Sequence, residues 1–188
     1  MDVLVSWDKA LFLWLNGMGT ETFDSFWMLL TNRGSNISLY LFLWLFFGYK
    51  YSWKAALYLL VFSGLLILCT DQLTNLFKNT VARPRPCFDE EIMSFVRLVK
   101  SNCGSRFGFF SGHASNSFAL AVFYGLLYKP KAQWLLYLLL IVALFIAYSR
   151  IYIGVHYPLD IIAGSVVGSL LGALFFRLWV GFNLRFLR

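Results

Sequence analysis

The chain alternates long apolar segments with short polar ones. A membrane-spanning helix needs about 20 mostly apolar residues, or somewhat fewer when its polar ends reach the headgroups. Five segments meet this condition, at roughly residues 36–49, 53–77, 113–128, 132–150 and 159–180. The pattern therefore predicts an all-α fold, a polytopic membrane helix bundle with five transmembrane helices.

Residues 1–35 fit this pattern less well. Their first apolar run is short, and the next one breaks at the polar segment Asn32–Asn36. We therefore expect two interfacial or partly inserted helices, with Trp7, Trp14 and Trp27 as anchors at the membrane interface. A full span within this segment would raise the number of transmembrane helices to six.

The chain shows no linker, internal repeat or low-complexity segment, so we expect one domain over residues 1–188. Residues 1–35 would supply the interfacial helices, and residues 36–188 the helix bundle that carries the chemistry. Small residues recur in GSVVGSLLGA, positions 164–173. This spacing is typical of helices that approach one another closely in a membrane.

Composition supports the membrane assignment and narrows the partners. The 188 residues are 60% hydrophobic and 13% charged, with a mean hydropathy of +0.68, which is far more apolar than a soluble domain. The net charge of +7 comes from basic residues scattered between apolar segments. Because they form no stripe, anionic headgroups explain them better than nucleic acid does. We expect the lipid bilayer as a partner and no nucleic acid.

The short basic loops predict the orientation of the chain. Loop cations without an accompanying acid mark the cytoplasmic side of a membrane protein. Seven cations are of this kind: Lys50, Lys54, Lys129, Lys131, Arg177, Arg185 and Arg188. The loop from about 79 to 112 and the 150–158 connection then lie on the opposite side. We expect a multi-pass protein of the inner (cytoplasmic) membrane whose polar clusters face the outer, periplasmic side.

The first polar cluster is DQLTNLFKNTVARPRP, residues 71–86. Asp71, Asn75 and Lys78 recur at helical spacing and share one face at the outer end of a helix. For Lys78 or Arg83 taken alone, snorkelling towards the headgroups is the simpler interpretation, with Asp71 pairing with one of the cations. Asp71, Asn75 and Arg83 could also support a site formed here, but they are not among the expected site residues.

The second cluster is FFSGHASNSF, residues 109–118. Ser111 is a good N-cap for the helix that follows, and Gly112 lets the backbone approach a ligand closely. The N–H groups at the start of such a helix form an anion site. An ordinary capped helix with an incidental His113 would explain this segment equally well if it stood alone.

The third cluster is SRIYIGVHYPLD, residues 149–160. Pro158 fits the first position of a helix, which places His156 just before the helix and Asp160 in or near its first turn. The carboxylate of Asp160 can accept a hydrogen bond from the imidazole, fix its tautomer and leave the other ring nitrogen able to attack. A lone interfacial histidine would more often be structural.

Together the three clusters combine two histidines, one acid, several cations and a glycine at a helix start. This set suits phosphoryl transfer to a histidine, because guanidinium and backbone N–H groups can hold the phosphate oxygens without a metal. A zinc site is the competing use of His113, His156 and Asp160. The nearby lysine and arginines would repel a dication, so we expect neither a metal nor another cofactor.

The same residues match three motifs of a known family, in order. The matches are Lys78, Arg85 and Pro86 for K-x6-R-P; Phe110, Ser111, Gly112 and His113 for P-S-G-H; and Ser149, Arg150, His156 and Asp160 for S-R-x5-H-x3-D. The chain thus resembles the type 2 phosphatidate phosphatase superfamily of membrane lipid phosphatases, which is related to glucose-6-phosphatase and the vanadium haloperoxidases. Phe110 replaces the usual proline, a departure that affects the loop but removes no reacting group.

The resemblance implies a role for each matched polar residue. His156 would be the nucleophile that forms a phosphohistidine, Asp160 would orient it, and His113 would protonate the leaving oxygen. The residues expected to bind the phosphate are Lys78, Arg85, Ser111, Gly112 and Arg150. Water would then hydrolyse the intermediate without a metal.

The resemblance also implies a function: removal of the terminal phosphate from a lipid phosphate or isoprenyl diphosphate at the outer leaflet. Phosphatidate, phosphatidylglycerol phosphate, lipid A phosphate and undecaprenyl diphosphate all stay open as substrates. The alternative is a catalytically idle protein that binds lipid phosphates, which the complete set of reacting residues disfavours. The apolar spans argue against a soluble haloperoxidase that holds vanadate.

The cysteines give one further expectation. Cys87 and Cys103 bracket a charged segment between the first two motifs, whereas Cys69 lies in an apolar helix. If the site faces an oxidising compartment, Cys87 and Cys103 can form a disulfide that stabilises the fold by roughly 3 kcal/mol on the chain-entropy model. Cys69 is expected to stay a free thiol.

Overall fold

The computed structural model describes residues 2–186, with the side chains of residues 3–32 and 34–182. Over this range the α-helices are α1 (Asp2–Gly17), α2 (Glu21–Thr31), α3 (Arg33–Lys50), α4 (Trp53–Val81), α5 (Gly112–Tyr128), α6 (Gln133–Tyr152) and α7 (Pro158–Phe186). Two short 3-10 helices, Pro86–Phe88 and Met93–Phe95, lie in the loop between α4 and α5. Residues 2–186 contain no strand beyond one isolated bridge, so the predicted all-α fold is confirmed.

The helices coincide with the predicted segments, with α4 and α7 extending beyond their predicted ends. Three of them, α4, α6 and α7 as far as Phe182, are long and apolar enough to cross a membrane. The remaining helices of the described chain do not meet the same measure of length and hydropathy. The protein is therefore a helical membrane protein with several apolar helices.

Helix starts follow local chemistry in the sequence. Asn32 caps α3 by accepting a hydrogen bond from the Gly34 amide at 2.8 Å. Ser111 is the N-cap of α5, as predicted, and its hydroxyl accepts from the Ala114 amide at 3.5 Å. Pro158 occupies the first position of α7, where its missing N–H costs nothing. These caps fix the points at which the chain enters α5 and α7, on either side of the polar clusters.

Helix α5 lies at the centre of the bundle and packs most extensively against α7 and α6. Gly164, Gly168 and Gly172 of α7 face the α5 backbone. A Cβ atom at Gly168 would lie 2.1 Å from the carbonyl oxygen of Ser115, far inside van der Waals contact. Only glycine permits this approach, so the predicted close packing of the small-residue segment is confirmed.

Apolar side chains from α3, α4, α5 and α7 fill the space away from the polar clusters. We call this cluster the aromatic core; among its buried members are Tyr40, Leu59, Phe123, Tyr124 and Trp179. The hydroxyl of Tyr124 lies 3.0 Å from that of Ser63, and the hydroxyl of Tyr128 donates to the Leu43 carbonyl at 2.6 Å. The core joins the long helices over their middle and their lysine-bearing ends.

The predicted cytoplasmic lysines lie at or beside the α3–α4 and α5–α6 connections, at the end of the bundle that we call the lysine end. The ammonium group of Lys131, between α5 and α6, lies 4.9 Å from the ring centre of Tyr51, between α3 and α4. At the opposite end, the site end, the loop before α5 meets the α6–α7 connection through the bond from the Val99 amide to the Ile153 carbonyl. The side chains of Arg185 and Arg188, two of the predicted cytoplasmic cations, lie outside the described residues.

The three predicted anchor tryptophans differ from one another. Trp7 and Trp14 project from α1 and are 73% and 64% exposed, as an interfacial anchor requires. Trp27 is half-buried instead and stacks on Tyr152 of α6, with ring centres 5.1 Å apart. Helix α2 lies across the outer part of α6, so this ring serves internal packing.

Candidate active site

The three polar clusters meet at the site end. The ends of the α4–α5 loop run side by side, because the Arg85 amide donates to the Arg106 carbonyl at 3.0 Å and the Gly108 amide to the Arg83 carbonyl at 2.9 Å. The Ser111 amide then donates to the carbonyl of Asp160 at 3.0 Å. Backbone hydrogen bonds alone therefore bring the first and second motifs against the third.

His156 and Asp160 form a buried pair at the start of α7. The imidazole Nδ1 lies 3.3 Å from Asp160 Oδ2, which also accepts from the Tyr157 amide at 3.0 Å. His156 is 2% exposed and Asp160 is fully buried. The spacing of four residues across a helix start creates this contact, as predicted. Because Nδ1 faces the carboxylate, Nε2 is the nitrogen on the opposite side of the ring.

The surroundings of His156 keep its imidazole neutral. Burial is the largest cause that lowers the pKa of His156 well below its usual value, and nearby cations add to the effect. Those cations are Arg85, Arg150, Lys78 and Arg83. Each favours the uncharged ring. A neutral imidazole can attack phosphorus, and the four cations beside it offset the negative charge of a phosphate group.

Arg85 is held rigidly by the loop that precedes α5. Its guanidinium donates to the carbonyls of Phe107 at 3.3 Å and Cys103 at 2.9 Å, and to the Ser105 hydroxyl at 3.1 Å. Cys103 is joined to Cys87 by the predicted disulfide, with Cα atoms 6.5 Å apart, and Cys69 is a free thiol, also as predicted. The disulfide therefore ties down the segment that holds Arg85.

The start of α5 lies against the last part of α4, at the site end. Ser111 is fully buried, and a Cβ atom at Gly112 would lie 3.3 Å from the Thr74 side chain. His113 occupies the first turn of α5 and is half-buried. Lys78 lies in the last turn of α4 and is half-buried as well. The structure thus brings the lysine of the first motif to the helix start of the second.

The third motif adds an arginine from the last turn of α6. Arg150 is buried and donates a hydrogen bond to the hydroxyl of Thr31 at the end of α2. Ser149 is fully buried, and its hydroxyl donates to the Ile146 carbonyl at 2.6 Å. Of the two neighbours, Arg150 belongs to the charged cluster, while Ser149 supports its own helix. The contact with Thr31 was not predicted.

The site contains a row of charged contacts in which Arg83 lies as a supporting residue, and sequence reasoning missed its partner Asp8. Arg83 donates to Asp160 Oδ1 at 3.1 Å and to Asp8 Oδ2 at 2.6 Å. Asp8 belongs to α1, and its other oxygen accepts from the Leu159 amide at 2.9 Å. The snorkelling interpretation of Arg83 is therefore wrong, because two buried carboxylates hold its guanidinium. One acid in an amphipathic helix gives no signal that it pairs with a residue 75 positions away.

A second layer of contacts surrounds Arg83 and its two aspartates. The Arg83 guanidinium lies 4.0 Å from the ring centre of Tyr157, whose hydroxyl donates to Asp89 at 2.7 Å. Lys9 of α1 lies 2.8 Å from the same carboxylate. Burial acts to raise the pKa of Asp89, but the hydrogen bonds from Lys9 and Tyr157 outweigh it and hold the pKa below its usual value. Asp89 therefore stays ionised and anchors α1 to the site end.

Asp71 has a different partner from the one expected. It accepts a hydrogen bond from the Asn116 amide at 2.9 Å, and Asn116 is in turn bonded to Thr70. The predicted pairing of Asp71 with a cation is wrong, since no ion pair to it is formed among the described side chains. Helix α5 supplies a neutral amide at this depth instead.

The arrangement as a whole can bind and transfer an anionic group. It offers a neutral imidazole backed by a carboxylate, a helix start, and cations from three different segments of the chain. Among the described side chains, no group of three or more His, Cys, Asp or Glu is placed to hold a metal ion. The chemistry best suited to these groups is phosphoryl transfer.

Comparison with known proteins identifies the family. The sequence profile of the PAP2 superfamily matches residues 52–183. The lipid A 4'-phosphatase of Porphyromonas gingivalis is 34% identical over 96% of this chain and 76% of its own length, and that of Bacteroides thetaiotaomicron is 34% identical over 90% and 75%. The crystal structure of a transmembrane PAP2-type phosphatidylglycerolphosphate phosphatase from Bacillus subtilis has the same fold, with a TM-score of 0.73 and 21% identity over 99% of this chain and 89% of that one. The chain therefore belongs to the PAP2 superfamily and is a membrane-embedded phosphatase.

Proposed function

We propose that the protein removes the terminal phosphate from a membrane lipid through a phosphohistidine formed on His156. The observation that carries this proposal is the buried imidazole, which Asp160 contacts at Nδ1 and four cations surround. Burial keeps the ring neutral and therefore nucleophilic, while the cations offset the charge of the phosphate. A protein that only bound lipid phosphates would not need a carboxylate behind the imidazole.

In the first step the phosphate oxygens bind to Lys78, Arg85, Arg150 and the helix start at Ser111 and Gly112. Nε2 of His156 attacks phosphorus, forming the P–N bond as the bond to the lipid oxygen breaks. His113 gives its proton to that leaving oxygen, which departs as the alcohol. Asp160 accepts the hydrogen bond from Nδ1–H and stabilises the ring as it becomes charged.

In the second step water replaces the lipid alcohol. His113, now neutral, takes a proton from the water as its oxygen attacks phosphorus and the P–N bond breaks. Inorganic phosphate leaves, and both histidines regain their starting protonation states. The cations supply the charge stabilisation that Mg²⁺ supplies in other phosphoryl transfer enzymes, so the cycle requires no metal.

The substrate we favour is a phosphorylated glycolipid of the lipid A type. The support is the similarity to two lipid A 4'-phosphatases over nine-tenths or more of this chain. Phosphatidylglycerol phosphate is the second choice, since a phosphatidylglycerophosphatase B from Bacillus subtilis is 31% identical over 66% of the chain. Phosphatidate and undecaprenyl diphosphate complete the set to be tested.

The proposed topology has five transmembrane helices, α3 to α7, with α1 and α2 at the interface of a single domain. The site end would face the periplasmic side of the inner membrane and the lysine end the cytoplasm. Two observations support this orientation: Lys131 of one connection lies against Tyr51 of another at the lysine end, and the disulfide lies in the loop at the other end. Disulfides persist in oxidising compartments such as the periplasm.

The test is phosphate release from purified protein across the four lipids, with and without EDTA. We expect release from the lipid A substrate that EDTA leaves unchanged and that His156→Ala abolishes. Thr80→Ala, on the exposed outer end of α4, serves as the matched control and should keep the wild-type rate. Release by His156→Ala at the wild-type rate would refute the mechanism, and lipid binding without release would favour the idle alternative.

A further inference from the structure

We propose that Asp8 of the N-terminal helix is a positioning residue for the nucleophile, acting through Arg83 and Asp160. The inference rests on the proposed function, because it takes His156 as the attacking group. Asp8 lies outside residues 52–183, which the PAP2 profile matches. Its role follows from contacts in this structure.

The contacts form an unbroken chain from α1 to the imidazole. Asp8 Oδ2 accepts from Arg83 at 2.6 Å, and Arg83 donates to Asp160 Oδ1 at 3.1 Å. Asp160 Oδ2 then lies 3.3 Å from His156 Nδ1. The side chains of both aspartates are at most 2% exposed, so a lost partner would leave a carboxylate largely shielded from solvent.

Arg83 depends on Asp8 for its orientation. A guanidinium is a rigid planar fork, and here one terminal nitrogen serves Asp160 while the other serves Asp8. The Tyr157 ring lies against its face, 4.0 Å from the central carbon. Without the Asp8 carboxylate, nothing holds the second nitrogen, and the side chain can rotate towards solvent or towards bound phosphate.

Asp160 depends in turn on Arg83. Its Oδ2 atom already accepts from the Tyr157 amide and faces His156. Its Oδ1 atom is satisfied by Arg83. If Arg83 rotated away, a buried carboxylate oxygen would lose its charged donor, a change that favours rotation of the carboxylate. The long 3.3 Å contact with His156 would then be the first to break.

Asp8 also fixes Asp160 through the backbone. Its Oδ1 atom accepts from the Leu159 amide at 2.9 Å. This amide lies in the first turn of α7, where N–H groups have no partner within the helix. The carboxylate thus caps α7 from a different helix and holds the residue that precedes Asp160. One side chain therefore determines the position of Asp160 through two routes.

A second aspartate–arginine pair in the protein, Asp24 with Arg97, has no connection to His156 and Asp160. Asp24 of α2 accepts from Arg97 at 2.7 Å with both oxygens. Like Asp8, Asp24 is an N-terminal acid that holds an arginine of the α4–α5 loop. Its further contact, however, is the Tyr152 hydroxyl at 2.9 Å, not the His156–Asp160 pair. Asp24→Asn therefore controls for the loss of a charged contact between an N-terminal helix and the loop.

The experiment compares Asp8→Asn with Asp24→Asn, using p-nitrophenyl phosphate. We expect Asp8→Asn to lower kcat by about tenfold, the effect of one charge-assisted hydrogen bond, with KM unchanged because the phosphate ligands stay in place. Asp24→Asn should change neither constant. A fall in kcat no larger than that of Asp24→Asn at equal thermal stability would overturn the proposal.

A second measurement separates positioning from general damage. In an Arg83→Gln background the connection is already broken, so adding Asp8→Asn should lower kcat no further. An additional tenfold loss would show that Asp8 acts by another route. If Asp8→Asn does not fold, Asp8→Glu retains the charge and should recover most of the wild-type kcat. A loss of kcat in Asp8→Glu as large as that in Arg83→Gln would also contradict the role.

The outcomes distinguish this inference from the proposed function. If His156→Ala is inactive while Asp8→Asn keeps its kcat, the mechanism stands and the role of Asp8 is rejected. If His156→Ala retains activity, the mechanism itself fails.

Discussion

The site end and the aromatic core are held together by different forces. At the site end, buried charges meet in pairs, as Arg83 does with Asp8 and Asp160. Elsewhere the helices are held together by the apolar rings of the aromatic core and by the close backbone contact of α5 and α7 at Gly168. Buried ion pairs add little net stability, because desolvation opposes their attraction, whereas apolar burial is strongly favourable. The site end is therefore built for geometry and the core for stability.

The difference predicts how each region responds to mutation. A change at the site end should lower the rate before it lowers stability, and a change in the helix packing should do the opposite. A change in the loop that carries the disulfide should affect both stability and rate, because this loop closes the fold and also holds Arg85.

The largest effect on stability is expected for Cys87→Ser. Loss of the disulfide should lower the free energy of unfolding by roughly 3 kcal/mol. The rate should fall as well, because the segment around Cys103, whose carbonyl binds Arg85, becomes free to move. Denaturation in detergent and kcat measure the two effects. Cys69→Ser removes a thiol that forms no disulfide and is the matched control; equal stability of the two variants would contradict this account.

His113→Ala should lower the rate while leaving stability close to wild type. A lost general acid costs on the order of 10²-fold, and the loss should be greatest for a lipid alkoxide. It should be smaller for p-nitrophenyl phosphate, whose leaving group needs little protonation. Thermal unfolding of the variant supplies the stability. Equal losses on both substrates would count against His113 as the proton donor.

Gly168→Ala changes the helix packing and should lower stability before it lowers the rate. The added Cβ would meet the Ser115 carbonyl oxygen at 2.1 Å, so α5 and α7 must separate, at a cost of about 1–3 kcal/mol. Gly64→Ala is the matched control: no atom lies within 4 Å of its added Cβ, and the variant should gain about 0.5–1 kcal/mol. The measurement is the unfolding midpoint of the two variants under the same conditions. If Gly168→Ala is as stable as Gly64→Ala, α5 and α7 do not pack this closely.

The smallest effect is expected from mild acid. His156 must be neutral to attack, and burial with the neighbouring cations lowers its pKa well below the usual value. As the pH falls from 7.5 to 6, the imidazole should therefore remain neutral. A histidine with an ordinary pKa of about 6.5 would be roughly three-quarters protonated at pH 6. The rate of phosphoenzyme formation from p-nitrophenyl phosphate should therefore fall by much less than fourfold over this range, and a fourfold fall would indicate an ordinary pKa for His156.

Local spacing was enough to predict much of this molecule. The contact of His156 with Asp160 follows from a separation of four residues across a helix start, and the Ser111 cap follows from the residue type at the boundary. The pair formed by Cys87 and Cys103 was expected on a different ground, the oxidising compartment that the site was predicted to face. Apolar segment lengths gave the long helices, since a bilayer imposes both length and composition.

Contacts between distant segments could not be predicted in this way. Asp8 meets the Leu159 amide across 151 positions, and Thr31 meets Arg150 across 119. Each depends on how the N-terminal helices lie over the outer end of the bundle, which no local pattern encodes. Trp27 was misassigned for the same reason: the sequence of an amphipathic helix does not show whether its tryptophan faces lipid or another helix such as α6.

The contact between Asp8 and the start of α7 also affects the order of biosynthesis. Asp8 leaves the ribosome about 150 residues before Leu159 and Asp160 do. Helix α1 must therefore wait at the membrane surface until α7 is inserted before its carboxylate can cap that helix. A nascent chain that has inserted only its earlier helices therefore carries cations proposed to bind phosphate before the proposed nucleophile is positioned. We therefore expect full activity only once α1 and α7 have met.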